Sequence, residues 1–295
     1  MKQLTDFSSI CVIIPTINES TFEEVISAVR AQTKNAEIVV TGFGNSAVIA
    51  QKYHATFIDT RQKTPKAICL NMAIKHSHRD KFILLDADAI PANGWGEKMA
   101  NGFSEGHVVF SAGVVPENEN IWMKVYNLST LHEFFVERPP EKRIHIATFS
   151  AGVTREIFDK VGLFDPAHFR CDDYEWSLRC TQAGIQPFFY PTAVVLHKPI
   201  EKNSLLKVLR YWVLAGADTI TVRIKYQGVL NTPKVLRNRF FILFFSPIIS
   251  IIPTLRVIKT IPTTMRSNLH LLPLIYLTKL AWCWGAYKSK SVGAR

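Results

Sequence analysis

Over the first 85 residues, four apolar runs at 10–14, 37–40, 55–58 and 81–85 alternate with stretches of helical character. Short apolar runs bounded by turn residues read as buried strands, and strands separated by single helices pair in parallel. Phe22, Val25, Ile26 and Val29 fall at the i, i+3, i+4, i+7 spacing of one helix face, behind a Thr21/Glu24 capping box. Residues 45–53 form a second short helix, and Thr64-Pro65 caps a third running from Lys66 to about Lys75. The expected fold class is therefore α/β, a Rossmann-like, mostly parallel sheet flanked by helices. Ligands of such sheets bind outside the carboxyl ends of the strands, so the loops after Pro15, Val40 and Leu85 should face one cleft.

Further strands are expected at 107–115, 147–151 and 186–190, and helices at 121–137, 154–161 and 174–183, with a break at Pro139-Pro140. No internal repeat or low-complexity tract is present.

Two acidic clusters stand out against this frame. Asp86-Ala87-Asp88 follows the strand at 81–85, where both carboxylates can turn towards one hard cation of the kind that partners a diphosphate. The bland reading is a turn or N-cap aspartate. Asp172-Asp173-Tyr174-Glu175 opens a helix, where acids are favoured by the dipole and capping alone accounts for them. Set across a cleft from the first cluster, the second would supply a base for an attacking hydroxyl. His197 ends the run Val194-Val195-Leu196, placed either as a structural histidine or as a ring-nitrogen ligand beside the first cluster.

Charge divides the chain. Residues 1–197 hold 19 Lys+Arg and 22 Asp+Glu, net −3, whereas residues 198–295 hold 16 and 2, net +14. Between the C-terminal cations lie apolar segments, 240–258 and 269–287, with none of the aromatic and basic interleaving of a nucleic-acid surface. Nucleic acid is excluded as a partner, and an anionic membrane surface fits. The first run is about 13 residues long before Pro253, with Pro247 inside it, a length that suits interfacial or re-entrant helices. A spanning hairpin and a buried helical subdomain are the alternatives. Domains are expected at 1–200 and 201–295. Five cysteines without a Cys-x-x-Cys pair fit a reducing cytosol, and residues 1–9 have neither the basic nor the apolar region of a secretory signal.

Four segments in order resemble the family-2 inverting glycosyltransferases of GT-A fold: Cys11 to Glu19, Leu85 to Trp95, Gly152 to Asp165 and Asp172 to Arg179. The resemblance covers roughly residues 8–200. It implies a nucleotide-diphosphate sugar donor, Mg2+ or Mn2+, and a single inverting displacement. By motif, Pro15, Thr16, Asn18, Glu19, Thr41, Lys66, Asn71, Asp86 and Ala87 would line the nucleotide-sugar site. Asp88, Asp86 and His197 would hold the metal, Asp173 would be the general base, and Gly152, Asp172 and Trp176 would form the acceptor or sugar pocket.

Two departures bear on substrate. Where the family carries an Asp-Asp-Gly-Ser type turn against the base, this chain has Thr41-Gly42-Phe43-Gly44-Asn45-Ser46, and Asp172 replaces the commoner Glu. Arg210-Tyr211-Trp212 is only a fragment of the Gln-x-x-Arg-Trp of processive members, which favours single addition. The expected protein works at the cytoplasmic face of the cell membrane on a glycan or lipid-linked acceptor, in cell-surface polysaccharide or glycoconjugate synthesis. A polyprenyl-phosphate glycosyltransferase, a sugar nucleotidyltransferase-like enzyme and an inactive membrane scaffold are the alternatives.

Overall fold

A computed structural model describes residues 6–289 and divides the chain into two compact units. One contains the residues through Val115 and Pro139–Lys198; the other contains Pro116–Arg138 and the chain from Pro199 onward. Relative to the boundary expected at 200, Pro116–Arg138 joins the C-terminal unit.

The first unit opens with β1 (Ile10–Pro15), α1 (Phe22–Gln32), β2 (Glu37–Gly42), α2 (Ser46–Lys52), β3 (Thr56–Asp59), α3 (Lys66–His76) and β4 (Lys81–Leu85). It continues through β5 (Ala89–Pro91), α4 (Trp95–Ser104) and β6 (Val109–Pro116). After α5 (Ile121–Thr130), which belongs to the second unit, come β7 (Glu141–Lys142), β8 (Ser150–Thr154), α6 (Arg155–Val161), α7 (Asp172–Gln182) and β9 (Phe188–His197).

The sheet order is β3-β2-β1-β4-β8-β6-β9-β5, with β7 also beside β9. Parallel pairing holds from β3 to β4. Beyond β4 it ends: β8 is antiparallel to β4 and to β6, and β5 and β7 are antiparallel to β9. The sheet is thus mixed, where a mostly parallel one was expected. A buried strand reads as an apolar run in either direction, so periodicity carries no information on orientation. One face of β1, β4 and β8 packs through Ile13, Phe82, Leu84 and Val153 against Leu70, Phe158 and Trp176.

The second unit comprises α5, α8 (Leu205–Lys225), α9 (Gln227–Leu230), α10 (Arg239–Phe244), α11 (Ser246–Thr260), α12 (Pro262–Arg266) and α13 (Leu272–Lys288). Side chains explain why Pro116–Arg138 belongs here. The buried Lys279 Nζ donates to the Ser129 carbonyl at 2.8 Å, satisfying an end of α5, and lies over the Trp212 ring. Arg256 pairs with Glu133 at 2.7 Å. The helix expected over 121–137 stops at Thr130 and gives way to a 3-10 turn at His132–Phe134. Pro253, which bounds the first apolar run, lies inside α11, and Pro247 sits in its first turn, where the missing N–H is harmless. None of the described helices is long and apolar enough to cross a membrane.

Candidate active site

The loop after β1 is organised by its own side chains. Glu19 Oε2 accepts from Thr16 Oγ1 at 2.7 Å and from the Ile17 N–H at 2.8 Å, while the Asn18 N–H donates to Thr16 Oγ1. Asn18 is left-handed at φ 66°, a conformation asparagine tolerates better than most residues. Its Oδ1 accepts from Ser46 N and Oγ, which ties this loop to the start of α2. The Thr16 N–H donates to the Thr41 carbonyl at 2.9 Å. Thr16 and Thr41 have buried side chains, so they shape the loop from within, and Glu19 and Asn18 are its more open groups beside Pro15. Burial raises the Glu19 pKa, the Thr16 and Ile17 bonds oppose this, and the Asp88 charge adds to it.

The Asp86-Ala87-Asp88 turn is pinned at each residue. The Asp86 N–H donates to the Phe149 carbonyl, and the Ala89 N–H closes the turn onto the Asp86 carbonyl. The buried Ala87 accepts from Thr21 Oγ1 at 2.7 Å through its carbonyl. Thr21 therefore makes no side-chain cap on α1, contrary to the expected capping box: its hydroxyl anchors the acidic turn instead. Asp88 lies next to the register pair Ala89 and His197, with its Oδ1 3.7 Å from His197 Nε2. Asp86 forms an ion pair with Lys66. Lys66 is the first residue of α3, as expected, with Pro65 rather than Thr64 at the cap position and the Thr64 hydroxyl turned back to the Gln62 carbonyl.

Lys66 joins the two acidic clusters. Burial pulls its pKa down, but Asp86, Asp172 and Asp173 outweigh this and the net shift is upward. Asp173 is half-buried, with the Thr148 N–H donating to its Oδ2 at 3.4 Å and the Tyr174 N–H to its Oδ1 at 2.7 Å. Asp172 is buried, and among the described residues its Oδ2 has no hydrogen-bond partner. Burial first, then repulsion from Asp173, pushes its carboxyl up to about 7 against the pull of Lys66. A folded-state value above the unfolded one means this group's stabilising contribution is complete below about pH 4 and is lost as pH rises through about 7. Asp172→Asn should therefore gain thermal stability over the parent as pH is raised from 4 to 8, by about 2–4 °C at the upper end. A difference that does not change with pH in thermal melts would refute the assignment.

Three expected site residues are engaged by the protein's own packing and backbone. Trp176 is fully buried, donates its indole N–H to the Gly162 carbonyl at 2.8 Å and packs on Phe158 and Phe164. At Gly152 an added Cβ would fall 2.3 Å from the Phe110 ring, so this glycine makes room for an aromatic. Asn71 both donates to and accepts from the Phe164 backbone. Thr21, Ser46 and Thr148, none of them among the expected site residues, hold the candidate-site loops through hydroxyl or backbone bonds.

Among the described residues, two groups have the chemistry to hold a cation. Asp88 and His197 offer a carboxylate oxygen and an imidazole nitrogen close enough for one ion to reach both, with Asp86 two residues from Asp88 and both aspartates half-buried. Ligand atoms of Asp165, His168 and Glu175 also lie within 4.8 Å of one another, but Glu175 is already held by Arg179 at 3.0 Å. The first group fits a divalent metal better.

The family model described as Glycosyl transferase family 2 matches residues 11–162. No curated protein sequence matches the chain. Among solved structures, the mannosyltransferase PcManGT from Pyrobaculum calidifontis, in complex with GDP-Man and Mn2+, superposes with a TM-score of 0.63 at 16% identity, covering 94% of this chain and 85% of that one. A structure titled only as a mycobacterial protein superposes at 0.51 with 13% identity, over 72% of this chain and 74% of its own. At these identities the likeness is one of fold.

Proposed function

The chain belongs to glycosyl transferase family 2, and on that premise we propose that it moves one sugar, with inversion, from a nucleotide-diphosphate sugar to a hydroxyl of a lipid-linked or membrane-proximal glycan. The observation that supports this reading is Lys66, which is ion-paired with Asp86 and also feels the charges of Asp172 and Asp173. Lys66 thus links the acids proposed for the donor side with those proposed for the base side.

Asp173 acts as general base. Backbone N–H groups orient both of its oxygens, and its half-buried setting leaves it reachable by an acceptor. It takes the proton of the acceptor hydroxyl as that oxygen bonds to the anomeric carbon, while the bond to the diphosphate breaks on the opposite face. Lys66 places a positive charge beside that departing group. The unpartnered Oδ2 of Asp172 is an acceptor for a sugar hydroxyl. Asp88 and His197, with Asp86 adjacent, would hold Mg2+ or Mn2+, which when bound neutralises charge on the diphosphate. The basic, apolar C-terminal region would keep the enzyme at the anionic cytoplasmic face of the cell membrane, adding single sugars during cell-surface glycan synthesis.

Calorimetric titration with UDP, GDP and dTDP sugars tests the reading, with GDP-mannose tried first because the PcManGT complex contains it. One donor should bind, and chelation of Mn2+ should weaken it by about 10–100-fold. Asp88→Ala should bind that donor weakly with or without the metal. No donor binding, or binding indifferent to both chelation and Asp88→Ala, would sink it.

A further inference from the structure

The helix pair α10–α11 is amphipathic in the inverted sense. On α11 the exposed residues Ile248, Ile251, Ile252 and Leu255 recur at i, i+3, i+4, i+7, the spacing of a single stripe. The face turned inward carries Ser250, Thr254 and Val257; Thr254 returns its hydroxyl to the Ser250 carbonyl and Ser250 lies against Cys283. A helix of a water-exposed protein buries its isoleucines and shows its serine and threonine to solvent. On α11 the order is reversed, and α10, which turns Ile242 inward, adds Phe240 at 61% and Phe244 at 85% exposed to the same apolar surface.

The charges around this surface name its partner. After Asp218 the chain has no Asp or Glu, but it has 12 Lys and Arg. Lys234, Arg237 and Arg239 stand exposed at the entry to α10, and Arg256 and Lys259 at the far end of the stripe. Cations bracketing an apolar stripe match a layer whose headgroups are anionic and whose interior is hydrocarbon. The 15 residues of α11 extend for about 22 Å, short of the roughly 30 Å of a bilayer core. Long cationic stems can also reach back to headgroups while the stripe lies below them.

We infer that α10–α11 is an in-plane anchor: it lies flat in one leaflet of an anionic membrane, with Phe240, Phe244, Ile248, Ile251, Ile252 and Leu255 immersed. The inference deepens the membrane placement proposed above, yet it stands on the surface of the second unit and not on the sugar-transfer chemistry.

The test uses the full-length protein and flotation with phosphatidylcholine vesicles containing about 30% phosphatidylglycerol, compared with phosphatidylcholine alone. The protein should float with the anionic vesicles, less with neutral ones and less in high salt. Phe244→Glu/Ile252→Glu places two charges on side chains that are already solvent-exposed, so the fold is retained, and bound protein should drop by about tenfold or more. Donor binding in solution, measured alongside, should be the same for parent and variant. Flotation of the double variant equal to the parent overturns the anchor. So does a parent that never floats but elutes as a dimer which the double variant dissociates, because the stripe is then an interface between copies. Failure of donor binding in both proteins with flotation intact would strike at the sugar-transfer reading and leave the anchor standing.

Discussion

Asp173→Asn is expected to lower the rate of sugar transfer by about 10²–10⁴-fold while leaving donor affinity within about twofold. The amide is nearly isosteric with the carboxylate, and its one oxygen can keep the shorter bond from the Tyr174 N–H while the longer one from the Thr148 N–H is given up, so the start of α7 should keep its place. What disappears is the ability to receive the acceptor's proton. The cost should therefore fall on kcat with acceptor saturating, and calorimetry with the donor should be blind to it. An acceptor that is already ionised, such as a polyprenyl phosphate, needs no base. Full transfer by Asp173→Asn would thus overturn the assignment of Asp173 and redirect the search for acceptor from hydroxyls to phosphates. Loss of donor affinity together with transfer would mean that Asp173 shapes the donor site through Lys66.

Much of the candidate site was legible because its chemistry is written in residue types. Asp86, Asp88, Asp172, Asp173, Lys66 and His197 are identifiable from strand ends and a helix start, and the structure draws them together. Burial was less legible than charge. Trp176 and Gly152 lie in or beside segments that carry the family resemblance, yet both are fixed by neighbours distant in sequence: Phe164 against the indole, Phe110 over the glycine. A motif marks a segment, and only packing says which of its side chains face outward. Thr21 shows the same limit in a local signal. Its spacing to Glu24 satisfies a capping box, but the Ala87 carbonyl, 66 residues away, competes for the same hydroxyl and wins. Strand direction failed for another reason. The runs up to β4 are linked by single helices and so pair in parallel, whereas the path from β4 to β8 passes through 64 residues, including α5 in the second unit. No hydrophobic pattern encodes the sense in which such an excursion returns.

Gly285→Ala is expected to destabilise the C-terminal unit by about 3 kcal/mol, although it adds one methyl group to a helix and would ordinarily strengthen it. The reason is the approach of α8 to α13. A Cβ on Gly285 would fall 1.9 Å from the Val213 carbonyl oxygen, and one on Gly216 would fall 2.1 Å from that of Trp282. Both obstacles are backbone, so no rotamer change relieves them and the helices must move apart. Gly216→Ala should act likewise, and the double variant should cost less than the sum of the two, since the first separation makes room for the second methyl. Gly228 of α9 is the control, with nothing within 4 Å of its added Cβ; Gly228→Ala should leave stability unchanged or raise it by up to about 1 kcal/mol. Denaturant unfolding of the four variants, with amide exchange in α8 and α13, separates these outcomes. A Gly285→Ala protein as stable as the parent would show that the crossing is looser than the backbone contacts require. Close glycine-to-backbone contact is also how helices associate when water provides little drive to bury their outer faces. The crossing of α8 and α13 is thus set by glycine against backbone, which is why a single added methyl is expected to cost more here than its size suggests.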